Sequence, residues 1–111
     1  MRQFYTAVVE RKRDVYEQFE THPFEVGWAS EAIFFLRVEE ISGEGTKLEA
    51  RVQLSADGVH WVDEGSEFPL VTVQGDSFVR VKHFGGWLRL CGTVRGNDAR
   101  VKVTVQLVLK E

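Results

Sequence analysis

Strict alternation of apolar and polar residues is the feature of this sequence that most constrains its fold. In residues 47–55 and 101–109, every second side chain is apolar. The apolar members are Leu48, Ala50, Val52, Leu54, Val101, Val103, Val105, Leu107 and Leu109. Successive side chains of a strand point to opposite faces, whereas a helix would spread this pattern around its circumference. Both segments are therefore predicted to be half-buried β-strands.

Turn signals divide the rest of the chain into short segments of the same kind. These signals are Gly43-Glu44-Gly45, Asp57-Gly58, Gly75-Asp76, Gly85-Gly86 and Gly96-Asn97-Asp98. Glycine and Asx residues supply the positive φ values that tight hairpins need. About eight or nine short strands with regularly spaced turns are typical of a sandwich or barrel. The sequence predicts an all-β fold, an antiparallel β-sandwich of jelly-roll type.

The length of 111 residues fits a single domain over residues 1–111. Its 14 basic and 17 acidic residues are mixed along the chain, and the net charge is −3. A phosphate backbone would find no basic patch here, so no nucleic-acid partner is expected. No apolar run is long enough for a membrane span or a signal peptide. We expect the protein in the cytoplasm, or in a particle assembled there.

Residues with reactive or metal-binding side chains are too scattered to predict a catalytic, cofactor or metal site. His22, His60 and His83 are not at zinc-ligand spacing with one another or with the single cysteine, Cys91. Cys91 is predicted on the outer face of its strand, as a small packing residue. The acidic stretch at residues 63–67 fits a solvated loop better than a calcium site. No enzyme and no cofactor are expected.

A hairpin motif, Ser-x-Asp-Gly-x-x-Trp, spans Ser55 to Trp61. It resembles a hairpin of discoidin-like and other carbohydrate-binding sandwiches of jelly-roll type, and of small phage structural proteins. The resemblance covers about residues 46–110. It implies a sandwich fold and transfers no binding residue to this chain.

A second predicted hairpin, turned by Gly85-Gly86, directs aromatic and basic side chains outward. These side chains are Phe78, Arg80, Phe84, Trp87 and Arg89. Aromatic residues mixed with arginine are typical of interface cores. The same composition also fits a sugar-stacking platform that includes Trp61, or the packing surface of the second layer of the domain. The sequence leaves these three alternatives open.

Residues 32–38 are apolar on both faces, with Phe34 on one face and Phe35 on the other. A strand buried on both sides in so small a domain needs cover from elsewhere. Residues 1–13 supply it as a covering or exchanged N-terminal strand, or a neighbouring subunit supplies it, since exchanged arms are frequent in symmetric assemblies.

The leading hypothesis is a non-enzymatic structural protein that works as a homo-oligomer or larger assembly. Capsid, decoration or tail components of a virus-like particle and shell proteins of a compartment fit this description. The rival hypothesis is a carbohydrate- or ligand-binding module, with a glycan as its partner. Phe35, Trp61, Phe78, Arg80, Phe84, Trp87 and Arg89 are the candidate interface or platform residues.

Overall fold

The computed structural model describes residues 3–111, and this part of the chain forms seven strands. They are β1 (Phe4–Val15), β2 (Gln18–Glu20), β3 (Phe24–Glu25), β4 (Glu31–Ser55), β5 (Val62–Glu67), β6 (Gly75–Val81) and β7 (Trp87–Lys110). Every strand pair is antiparallel, so the prediction of an antiparallel all-β fold is confirmed. No helix of membrane-spanning length and hydrophobicity occurs among the described residues.

Two long strands form the frame of the molecule. β4 and β7 have 25 and 24 residues and pair along their whole lengths, from Glu31 opposite Lys110 to Ser55 opposite Trp87. A straight strand of this length would span about 80 Å. The longest dimension of the protein is only 47 Å. The paired strands must therefore bend sharply near their middle.

The bend lies where two predicted turns face each other across the ladder. Gly43, Gly45 and Gly96 have positive φ values, as does Asp98, and Glu44 lies opposite Asn97. Since these residues bend the chain without breaking the pairing, each turn signal lies inside a long strand rather than between two short ones. The expectation of eight or nine short strands was wrong for this reason.

The bend divides the sheet into two halves. Half A contains residues 31–42 of β4 and 100–110 of β7, in the order β1-β7-β4-β6. Half B contains residues 46–55 of β4 and 87–95 of β7, with β2 and β3 beside β7 and β5 beside β4. β1 is an in-plane neighbour of β7, so it extends half A sideways.

The alternation in the sequence determines which face of the folded sheet is buried. Even-numbered apolar residues of β4 and odd-numbered ones of the end of β7 are buried in one core cluster that both halves share. In segments 47–55 and 101–109, the residues that were predicted to point inward are buried, except Leu54, which is half-buried. The opposite face, called the outer face below, carries the remaining side chains.

Candidate functional site

The outer face of half A carries an apolar surface that is exposed or half-exposed to solvent and is interrupted by Gln106, which lies between Val8 and Phe35. Its members, called the outer patch, are Val8, Ile33, Phe35, Phe78 and Val108. Phe35 lies opposite Phe78 on neighbouring strands, and their ring centroids are 5.8 Å apart. Phe35 is 38% exposed and Phe78 is 62% exposed. Rings that touch each other while remaining this exposed are available to a further partner.

Charged side chains lie on two sides of the outer patch. On one side, Arg80 lies opposite Ile33, and both line a small depression with Val108 and Lys110. On the other side, Arg37 Nε donates to Asp76 Oδ1 at 2.8 Å. An apolar centre within a polar rim is the usual anatomy of a protein–protein interface.

The described N-terminal strand does not cover the outer patch. β1 pairs with β7 in the plane of the sheet, from Phe4 opposite Lys110 to Val15 opposite Val101. It contributes Val8, itself exposed, to the border of the patch. Among the described residues, nothing lies across Phe35 and Phe78.

The hairpin predicted at Gly85-Gly86 does not form. β6, which carries Phe78 and Arg80, pairs with β4 in half A. The start of β7, which carries Trp87 and Arg89, pairs with β4 in half B. The structure therefore brings Phe35, Phe78 and Arg80 together and places Trp87 and Arg89 on the other half of the sheet.

Trp61 and Arg89 form part of a polar network on the outer face of half B. The guanidinium carbon of Arg89 lies 4.3 Å from the centroid of the Trp61 ring, and Arg89 Nε donates to Gln53 Oε1 at 2.9 Å. Gln53 Nε2 and Arg51 Nε both donate to Asp63 Oδ1, at 3.0 and 3.1 Å. Arg89 covers one face of the indole, which leaves at most the other face for a sugar.

Trp87 and Phe84 are half-buried and contact their own chain. The Trp87 indole lies against the turn at Gly58, where an added Cβ would be 3.2 Å from Trp87 Cε2. Phe84 packs against the core cluster. Neither residue belongs to the outer patch.

The Ser-x-Asp-Gly-x-x-Trp motif forms a tight connection between β4 and β5. Asp57 Oδ1 accepts from the backbone amides of Val59 and His60, at 2.8 and 2.9 Å, and from Ser55 Oγ. The backbone amide of His60, then its side chain, hold the pKa of Asp57 well below its usual range. The polar residues of the motif therefore act locally, by fixing the turn.

The acidic stretch 63–67 lies on strand β5, so the expectation of a solvated loop was wrong. Asp63 faces the outer network, whereas the Glu64 side chain is only 1% exposed. Glu64 Oε2 accepts from the backbone amides of Lys82 and His83, and its Oε1 accepts from the amide of Ser66. Glu64 thus fixes the loop after β6. The part of the chain described by the structure has no group of three His, Cys, Asp or Glu side chains suited to a metal.

Glu64→Gln is expected to lower the free energy of unfolding by about 1–3 kcal/mol at neutral pH. Both carboxylate oxygens accept from backbone amides, so the NH₂ group of glutamine would face a donor. Burial raises the pKa of Glu64, but the hydrogen bonds from Ser66, His83 and Lys82 together leave it below its ordinary value.

The pH dependence of Glu64→Gln follows from that lowered pKa. The stabilisation by an acid with a depressed pKa is present above its unfolded-state pKa and is lost as the pH falls through the folded-state value. Urea unfolding should therefore separate wild type from Glu64→Gln at pH 7, and the difference should disappear at an acidic pH below the lowered pKa of Glu64. An equal difference at both pH values would contradict this role. Glu67→Gln, an exposed change on the same strand, is the control.

Cys91 is buried, although its position on the strand is that of an outer-face residue. It is 5% exposed and lies between Arg51 of β4 and Glu20 of β2. The sequence predicted an outward-facing cysteine but did not show that neighbouring strands on both sides would bury it. Burial raises the pKa of the Cys91 thiol more than Arg51 lowers it, so the thiol stays protonated at neutral pH.

An aromatic cleft that the sequence did not reveal lies where β1 and β3 approach each other. It has a volume of about 860 Å³ and is lined by Gln3, Phe4, Tyr5, Pro23, Phe24, Glu25 and Trp28. The rings of Tyr5 and Phe24 are stacked with centroids 6.1 Å apart. These side chains come from two separate segments, residues 3–5 and 23–28. The one signal in the sequence is that both segments are rich in aromatic residues and lie outside the long alternating strands.

Comparisons with known proteins find no family. No protein-family model matches the chain, and no curated protein matches it. Chains from structures of infectious bursal disease virus are similar at 12% identity and a TM-score of 0.49 for the Gt strain, and at 13% and 0.41 for the Gx strain. Each likeness covers 99% of this chain, which spans 36% of the viral chain. At scores this low, the likenesses assign neither a fold family nor a function.

Proposed function

We propose that this chain is a non-enzymatic structural protein that self-assembles through the outer patch of half A. The exposed contact between Phe35 and Phe78 is the observation that carries the proposal. Two aromatic rings, three aliphatic neighbours and a charged rim form a surface of the kind that interfaces bury. The occupant is a second copy of the chain, whose own patch offers matching apolar area.

The charged rim supports a contact between like copies. Arg37 and Asp76 lie on one side of the patch, and Arg80 lies on the other side. In an isologous contact the same surface meets itself, so each positive group needs a negative group within reach on the partner. The rim carries both signs, and rotation of one copy against the other brings opposite charges together.

The architecture fits a finer assignment within this proposal. Both halves of the folded sheet are four strands wide, because β2 and β3 lie one after the other along the same side of β7 in half B. Two such halves around one core are expected of a jelly-roll-type sandwich. The assembly class is a capsid, decoration or tail component of a virus-like particle, or the shell of a compartment. On this proposal, many identical copies of the chain assemble in the cytoplasm.

Phe78→Ser should abolish or greatly weaken self-association, because it replaces the most exposed ring of the outer patch. Light scattering on a size-exclusion column should give the wild type a mass above that of one chain and the variant the mass of a monomer. Val73→Ser, which changes a comparably exposed apolar side chain outside the patch, should assemble like wild type. A wild type that stays monomeric at all concentrations would refute the proposal.

A ligand-binding module is the second candidate, and the aromatic cleft between β1 and β3 favours it. Exposed aromatic faces stack on apolar ligand surfaces, and Gln3 and Glu25 supply hydrogen-bonding groups. Retention of the protein on immobilised glycans, combined with a monomeric mass, would reverse the order of the two candidates.

A further inference from the structure

The free edge of β1 carries backbone groups with no partner among the described residues. β1 pairs with β7 alone. The amide of Glu111 donates to the carbonyl of Gln3 at 3.0 Å, so the backbone groups of Gln3 face β7. Because these groups alternate in direction along a strand, those of Phe4, Thr6 and Val8 point away from β7.

The first part of β1 lacks the usual protection of an edge strand. Natural edges are blunted by charges, prolines, bulges or short length. Residues 4–8 have no charge and no proline, and they pair with β7 without a register shift. Register shifts begin only after Val8, and the basic run 11–13 follows them.

The other edges of the described sheet are protected. β6 carries Asp76 and Arg80, and β5 carries three carboxylates and a register shift opposite β4. β2 and β3 have three and two residues, and Pro23 lies between them. Residues 4–8 are therefore the section of edge best suited to pair with another strand.

We infer that β1 pairs antiparallel with β1 of a second copy, about a two-fold axis at Thr6. This inference deepens the proposed self-assembly and rests on it. Phe4 then lies opposite Val8 of the partner subunit, and Thr6 lies opposite the partner's Thr6. Each of these pairs joins two residues whose backbone groups point away from β7, and the two residues exchange two backbone hydrogen bonds. The segment is uncharged, so no like charges oppose each other at this axis.

Edge pairing would also extend the outer patch. A two-fold axis normal to the sheet keeps the same face of both copies on the same side. The two halves A then form one continuous eight-stranded sheet in which Phe4 of each copy borders Val8 of the other. Phe4 and Val8 are both exposed in the single chain. The paired copies therefore present a wider apolar surface than either copy alone.

Charge variants at Thr6 test this register. Thr6→Lys and Thr6→Glu each place like charges opposite each other at the axis, so each should raise the dissociation constant of self-association by about tenfold or more. A 1:1 mixture should restore association and form mixed pairs, visible by native mass spectrometry. Thr6 is exposed, so both variants should keep the wild-type circular dichroism spectrum. Gln18→Lys, which adds the same charge as Thr6→Lys at an exposed position of β2, is the control.

The outcomes separate this inference from the proposed function. If wild type associates but the Thr6 variants associate equally well, or if the mixture restores nothing, the edge contact is refuted and assembly through the outer patch stands. If Phe78→Ser retains association and only the Thr6 variants lose it, the edge contact stands and the outer patch is refuted as the contact.

Discussion

Phe34→Ala is expected to lower the free energy of unfolding by about 3–5 kcal/mol, the largest stability effect of the changes considered. Phe34 is completely buried in the core shared by both halves of the sheet. Phe35→Ala is the matched control, because the same ring is removed one residue further along, on the outer face. It should cost about 1 kcal/mol or less in the monomer.

Urea unfolding at low protein concentration, where association contributes nothing, measures both changes. The two neighbouring residues differ only in the face to which they point, so the difference in cost reports the strand alternation directly. Equal losses for Phe34→Ala and Phe35→Ala would contradict the assignment of inner and outer faces.

Gly43→Ala should lower the free energy of unfolding by about 2–4 kcal/mol through the bend in the long strand pair. Gly43 has φ of 103°, and an added Cβ would lie 2.6 Å from the carbonyl oxygen of Asp98 and 2.7 Å from that of Asn97. These contacts are with backbone, which cannot move aside without opening the ladder between β4 and β7.

Gly45→Ala is the control for the change at Gly43. Gly45 has φ of 66°, but an added Cβ would meet nothing within 4 Å. It should carry only the conformational cost of a positive φ, about 1–2 kcal/mol. Thermal unfolding of both variants provides the comparison. A cost at Gly45 equal to that at Gly43 would show that the two strands do not approach closely at the bend.

The strands and the core could be predicted from the sequence because alternation reports burial one residue at a time. Leu48, Val52 and Leu107 are buried as their positions required. Strand continuity could not be predicted, because glycines bend a paired strand and close a hairpin with the same positive φ. Gly43 and Gly96 read as two turns, whereas they form one bend.

Strand pairing limited the prediction of the candidate site in the same way. Gly85-Gly86 suggested that β6 and the start of β7 are partners, but β6 pairs with the other half of β4. The exposed position of Phe35 followed from the alternation of side chains along its strand, whereas its contact with Phe78 depends on the pairing of two distant segments. The burial of Cys91 by neighbouring strands depends on pairing too.

The two contacts proposed between copies have different physical origins. The apolar area of the outer patch gives affinity without direction, and only its charged rim favours one rotation of the copies. The β1 edge contributes directional backbone hydrogen bonds, which fix the register. An assembly that uses both would be ordered by the edge and stabilised by the patch.

Hydroxyl-radical footprinting of the wild type across protein concentrations tests the central claim most directly, namely that copies of this chain cover the outer patch. Oxidation of Phe78 should fall as the protein associates, while oxidation of Val59, an exposed residue between β4 and β5, should stay constant. Equal oxidation of Phe78 at every concentration, in samples that light scattering shows to be associated, would contradict the claim.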